Sequence, residues 1–191
     1  IQKKSKYSVL VYDGCQTVKA SDLTPEQFQR SLDMRTRTVH RVTLQTQMRC
    51  EGGQSYLEYL DGIFQVCQDD LRRVENYDFK IWDNPNSMIE DIRNKDLNFS
   101  LCRVVAGYSW RWQSKGCETI EQAISAGLED IELEGRKYVW NMSNQEWILR
   151  EGAVDEIGCV HTTQGYDLNY VAVIFGHEID YDDESDSIVI D

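Results

Sequence analysis

Apolar residues along this chain fall into short runs separated by polar clusters, and the spacing inside each run predicts its secondary structure. Ser8-Val9-Leu10-Val11-Tyr12 is an apolar run of strand length that ends at the turn signal Asp13-Gly14. Pro25 to Leu32 predicts a helix, because Pro suits the first helical position and Thr24 the cap before it. His40 to Thr46 is β-branched and alternating, the pattern of a strand. The clearest helix comes next. Tyr56, Leu57, Leu60, Ile63, Phe64 and Cys67 make one stripe of 3.6-residue period, with Gly52 and Gly53 just ahead of it. Phe79 to Trp82 reads as a short strand, Ser87 to Arg93 as a helix behind Asn84-Pro85, and Leu101 to Gly107 as a buried strand running into a turn. Ile131-Glu132-Leu133 and Tyr138-Val139-Trp140 predict a hairpin about Glu134-Gly135. Glu156 to Val160 and Tyr170 to Phe175 read as two further strands.

Strands alternating with helices imply an α/β domain with a mainly parallel sheet flanked by helices. Residues 116–150 interrupt that alternation and read as an insertion carrying the small β-hairpin. In parallel sheets, ligands collect at the carboxyl ends of the strands. Polar clusters follow four of the predicted strands: Asp13 to Gln16, Gln47 to Cys50, Gly107 to Lys115 and His161 to Asp167. Gathered at one edge, they would make a site.

Composition narrows the function classes. The 191 residues are 41% hydrophobic and 28% charged, the balance of one folded, soluble domain. No apolar stretch approaches the ~18–20 residues that span a bilayer, and no leader sequence opens the chain. A cytoplasmic protein without membrane contact is expected. The absence of a starting Met and the closing Ile188-Val189-Ile190 read as an excised fragment. None of the six cysteines forms a Cys-x-x-Cys pair, and the three histidines lack metal-ligand spacing, so reduced thiols and no metal are expected. The net charge of −13 argues against a broad phosphate-gripping surface. Part of that excess is local: Glu178, Asp180, Asp182, Asp183, Glu184 and Asp186 read as a solvated loop.

Four segments carry candidate chemistry. From Glu156 to Val171 an apolar strand enters His161-Thr162-Thr163-Gln164-Gly165-Tyr166-Asp167 and a second apolar strand follows. Hydroxyls and backbone N–H groups after a strand suit phosphate oxygens, and Gly165 would let a ligand approach the backbone. The segment also reads simply as a polar strand connection. Leu44 to Gly53 places Arg49 at a strand-to-helix junction, where a guanidinium can meet a transferring phosphoryl group, or merely face solvent. Val9 to Val18 places Gln16 and Thr17 after the Asp13-Gly14 turn. Gly107 to Lys115 interleaves Trp110 and Trp112 with Arg111 and Lys115, a pattern suited to stacking on unpaired bases; packing over the sheet edge accounts for it equally.

These segments resemble, in chain order, motif III (Val9–Val18), motif IV (Leu44–Gly53), an Ala-Gly-Tyr-Ser-Trp loop (Ala106–Trp110) and motif V (Glu156–Val171) of the Schlafen-related DNA/RNA helicase family, superfamily-1-like P-loop ATPases. The resemblance implies that residues 1–191 form the second RecA-like domain of a helicase, residues 1–20 linking it to a first domain. It implies catalytic roles for Arg49 as arginine finger, and for Gln16 and Gln164. It also implies nucleotide contacts from Asp13, Gly165 and Asp167, and nucleic-acid contacts from His161, Thr163, Trp110, Trp112 and Lys115. The chain departs from the family pattern in lacking a Gly-x-x-x-x-Gly-Lys-Ser/Thr loop, a strand ending Asp-Glu and the arginine of motif VI. ATP and Mg2+ are therefore expected in the full-length protein, with the isolated fragment binding neither and hydrolysing nothing. The implied partners are an N-terminal RecA-like ATPase domain, single-stranded DNA or RNA, and in some members a fused GIY-YIG-type nuclease. Two other readings stay open: a nucleic-acid-stimulated ATPase switch that does not unwind, and an interaction domain whose ATPase motifs have decayed.

Overall fold

Thr24 starts the first helix, α1 (Pro25–Asp33), through a reciprocal cap. Its hydroxyl accepts the Gln27 N–H at 3.3 Å, and the Gln27 side-chain oxygen accepts the Thr24 N–H at 3.0 Å. Tyr12 stacks on Phe28 of this helix, centroids 4.3 Å apart, and donates its hydroxyl to the Leu23 carbonyl at 2.7 Å. The computed structural model describes residues 5–14, 22–33, 38–44, 50–64, 74–75, 77–142, 146–185 and 187–190. The chain divides into two units, Ile1–Gln45, which holds α1, and Thr46–Asp191.

In the first unit, two strand expectations fail. Residues 8–12 lie outside any strand, with Val9 and Val11 almost fully exposed, and so do residues 40–44; residues 45 and 46 are outside the described residues. A β-branched run becomes a strand only where another strand meets its N–H and C=O groups. None of the pairings observed involves these segments.

The second unit opens with α2 (Gly53–Ile63), which ends before Cys67, a residue outside the described ones. No α2 residue is fully buried. Its aromatic stripe meets Phe79 instead: Tyr59 packs edge-on at 5.3 Å and Tyr56 at 6.1 Å. Phe79 to Trp82, expected as a strand, is irregular chain held by such ring contacts and by Lys80 lying 3.2 Å over Trp82.

Helix α3 (Pro85–Phe99) starts where expected, with Pro85 in its first turn and the Asn84 side chain accepting the Ser87 N–H at 2.8 Å. It runs a turn and a half beyond Arg93. Ser100 and Leu101, both at positive φ, end it and turn the chain into β1 (Cys102–Ala106). β1 is the centre of a three-stranded parallel sheet, between β4 (Ile157–Cys159) and β5 (Tyr170–Ile174), with Val104 opposite both Ile157 and Ala172. All five β1 residues are buried, as expected for a strand covered on both faces. Cys102, Val104 and Ala106 share one face with Ile157, Cys159, Ala172 and Ile174, beneath Ile89 and Ile92 of α3. Val105 faces the other way, under Trp147, Ile148 and Ala153. Gly158, opposite Val105, makes that second face possible, since a Cβ there would sit 2.1 Å from the Trp147 ring.

Between β1 and β4 the chain forms a short helix, α4 (Ile120–Ser125), and the expected hairpin, β2 (Ile131–Leu133) with β3 (Arg136–Tyr138). Its turn has consecutive positive φ at Glu134 (46°) and Gly135 (78°), the mirror-image geometry that suits strand twist. Glu is an unusual choice for that conformation, and its carboxylate is held by the Asn84 amide at 2.8 Å. The acidic run near the end, expected as a solvated loop, is instead a second hairpin, β6 (Ile179–Asp182) with β7 (Ser187–Ile190). Ile179-Asp180-Tyr181-Asp182 alternates, so its acids need not meet the apolar neighbours. Asp182 folds the turn by accepting the Glu184 N–H at 3.1 Å and the Ser185 hydroxyl at 2.7 Å. Among the described residues no helix is long and apolar enough to cross a membrane.

Candidate nucleic-acid interface

A parallel sheet sends the loops after all its strands to one edge, and here three of them meet. Tyr108 follows β1 and His161 follows β4, and their rings stack at 5.5 Å and 29°. Ser109, next along the β1 loop, donates a short hydrogen bond to the Glu178 carboxylate on the loop after β5. Gly176 permits that contact, since a Cβ there would lie 2.0 Å from the Ser109 Cβ. The Ser109 hydroxyl is also the main influence holding the Glu178 pKa below its ordinary value.

Tyr108 is the exposed centre of this edge. The residue is 60% exposed, yet its ring edge is fixed against buried Trp140 at 4.8 Å and 88°. Local desolvation, and then the Cys159 thiol, push the phenol pKa up, so it stays a neutral hydrogen-bond donor at physiological pH. Sequence reasoning missed this residue because two tryptophans stood beside it. Trp110 and Trp112 are half-buried and pack on the core cluster. Trp112 meets Trp140 edge-on at 5.6 Å, donates its indole N–H to the Ser114 hydroxyl at 3.2 Å, and carries the Lys115 ammonium 5.4 Å above its ring.

The β1 loop is held in shape by Asp130, which is buried just before the β2–β3 hairpin. One carboxylate oxygen accepts the N–H groups of Gln113 (2.5 Å) and Ser114 (2.8 Å). The other accepts the Ser114 hydroxyl (2.6 Å) and the Trp140 N–H (2.8 Å). The buried arginine of β1, Arg103, is likewise structural. Its guanidinium serves the Ile148 and Cys102 carbonyls and pairs with Asp96 at 2.9 Å.

On the β4 loop, His161, Gln164, Gly165 and Asp167 are exposed, and Gly165 sits at φ 92°. Thr163 is half-buried, its hydroxyl donating to the Val160 carbonyl at 2.7 Å. The structure thus gathers Trp110, Trp112, Lys115, His161, Thr163, Gln164, Gly165 and Asp167 onto two loops at one sheet edge. Arg49 and Gln16 lie outside the described residues, and Asp13 belongs to the other unit, where it is exposed.

Behind β4, Glu156 is fully buried and Arg150 Nη2 lies 2.8 Å from its Oε2, poorly aligned for a hydrogen bond. Burial outweighs the attraction of Arg150 and raises the Glu156 pKa. A raised folded-state pKa stabilises the fold fully below the ordinary carboxyl value of 4.5, and that contribution is lost as pH rises through the folded value. Arg150→Ala should strand the charge and cost about 3 kcal/mol near neutral pH, the low end for a buried pair because Arg150 is itself a third exposed. Urea melts of that variant should recover stability as pH falls and Glu156 takes up its proton, whereas Arg150→Ala combined with Glu156→Gln should lack this recovery.

Over residues 1–191 the chain matches the family described as Schlafen group 3, DNA/RNA helicase domain. The chain belongs to this family. It is also 29% identical, over 96% of its length, to Uncharacterized protein YPL245W of Saccharomyces cerevisiae. It spans 44% of that relative's length. No solved structure matches the chain.

Proposed function

We propose that this Schlafen group 3 domain is the second, RecA-like motor domain of an ATP-dependent nucleic-acid helicase or translocase of superfamily-1 type. The observation that supports this reading best is the meeting of the loops after β1, β4 and β5 at one sheet edge, through Tyr108–His161 and Ser109–Glu178. In this reading the β1 and β4 loops contact a single strand of DNA or RNA through Tyr108, Trp110, Trp112, Lys115, His161 and Thr163. Arg49 acts as the arginine finger. Gln16 and Gln164 sense the γ-phosphate and couple it to the strand, and Asp13, Gly165 and Asp167 face the nucleotide. ATP and Mg2+ come with an N-terminal RecA-like partner domain, and nothing in the reading requires a membrane.

The charge of the chain fits a division of labour. A domain of net charge −13 gains little from gripping phosphates. Stacking on aromatic rings is worth about 1–3 kcal/mol per base and is independent of net charge. Tyr108→Ala in the full-length protein should therefore weaken binding of a labelled single-stranded oligonucleotide about tenfold, measured by fluorescence anisotropy. The salt dependence should barely change, and Tyr108→Phe should restore the affinity. Undiminished binding by Tyr108→Ala would remove the strand from this edge.

A further inference from the structure

We propose that a groove away from the strand-contact loops, between α3, α4, β3 and the turn before β4, binds a phosphate-bearing ligand of nucleotide size. The groove has a volume of about 410 Å³, within the range of small-molecule sites. Its lining inverts the charge of the chain. Acidic residues outnumber basic ones 33 to 20 overall, but Arg93, Arg136 and Lys137 line this groove against the single carboxylate of Asp155.

The cations are incompletely neutralised. The Arg93 and Arg136 guanidiniums share one oxygen of Glu90, at 3.0 and 3.4 Å, which also places the two forks side by side. Arg93 Nε is buried without a hydrogen-bond partner and lies 3.6 Å from Asp155. Lys137, next along β3 and so on the opposite face from Arg136, stands across from Glu132 and forms no ion pair among the described residues. The groove thus holds more donors than acceptors, three cations against the carboxylates of Asp155 and Glu90. Paired guanidiniums match the oxygens of a phosphoryl group, and the positive charge left over after Glu90 and Asp155 favours its negative charge. Ile120, Ile124 and Val139 supply an apolar wall for the rest of the ligand. A free nucleotide and the phosphorylated end of a nucleic-acid strand share this chemistry. The site shares no residue with the strand contacts proposed above, so it stands or falls separately from the motor reading.

Lysine footprinting of the full-length protein tests the site locally, whatever else the protein binds. Lys137 acetylation is followed by mass spectrometry, with Lys80, which lies over Trp82, as internal control. The added probes are pyrophosphate, a nucleoside monophosphate, and the same oligonucleotide with a 5′-phosphate or a 5′-hydroxyl. Labelling of Lys137 alone should fall about tenfold at ten times the midpoint concentration. Asp155→Asn, which removes one of the two carboxylates beside Arg93, should lower that midpoint about threefold. Arg136→Glu, at a side chain 60% exposed, should raise it tenfold or more without disturbing the packing. Protection by the mononucleotide identifies a free ligand, and protection by the 5′-phosphorylated but not the hydroxyl oligonucleotide identifies a strand end. Equal labelling with and without every probe overturns the proposal, as does protection that survives Arg136→Glu unchanged.

Discussion

Arg49→Ala in the full-length protein should reduce nucleic-acid-stimulated ATP turnover by about 10³-fold or more if Arg49 is the arginine finger proposed above. The loss should fall on kcat, because an arginine finger meets charge that develops only as the γ-phosphoryl group transfers. Nucleotide affinity should change little. Arg49→Lys should not rescue, since an ammonium lacks the planar fork that spans two phosphoryl oxygens. Steady-state ATPase assays against strand concentration would read all three outcomes. Unchanged turnover would instead favour an interaction domain that has lost its catalytic part, and a strand-displacement assay would then separate a helicase from a non-unwinding switch only among active proteins.

Asp130→Ala should cost about 4 kcal/mol of stability, because it strips the partner from four donors at once, three of them backbone N–H groups, of which those of Ser114 and Trp140 are buried. Thermal unfolding would measure the loss. Amide exchange would localise it, with the Gln113 and Ser114 N–H groups losing protection ahead of β1. Asp130→Asn should fall between, because its NH2 group faces donors where one carboxylate oxygen had accepted. If the Gly107–Lys115 loop contacts the strand, Asp130→Ala should also weaken oligonucleotide binding while leaving Tyr108 in place. That makes Asp130 a positioning residue, distinguishable from a purely structural one by the binding readout at temperatures where the variant stays folded.

The parallel core was legible in the sequence because its strands are short apolar runs closed by turn residues. Leu101–Gly107, Glu156–Val160 and Tyr170–Phe175 contain β1, β4 and β5 with their ends shifted by a residue or two. The helices were legible through their caps, Thr24-Pro25 and Asn84-Pro85. The runs at 8–12, 40–44 and 79–82 look equally strand-like, but a strand is a property of a pair, and the pairing partner is not written locally. α4 escaped notice because six residues hold too little of a helical period. In the site, two of the three meeting loops were visible as polar clusters after strands. The third, Gly176 to Glu178, was hidden inside an acidic run whose composition resembled solvent-facing chain, and the need for glycine at 176 appears only once Ser109 lies against it. Tyr108 was masked by neighbouring tryptophans, which pack half-buried against the core while Tyr108 stays exposed.

The order of strands in the central sheet also sets a timetable. β1, the central strand, has no neighbour near it in sequence and pairs only with segments made much later, Cys102 with Tyr170 and Val104 with Ile157. The β2–β3 and β6–β7 hairpins can close within microseconds of their own synthesis, whereas β1 must wait for long loops to close around it. On the ribosome, Cys102–Ala106 therefore emerges as an unpaired apolar segment and remains a hazard for misassociation until Ile174 has followed it out.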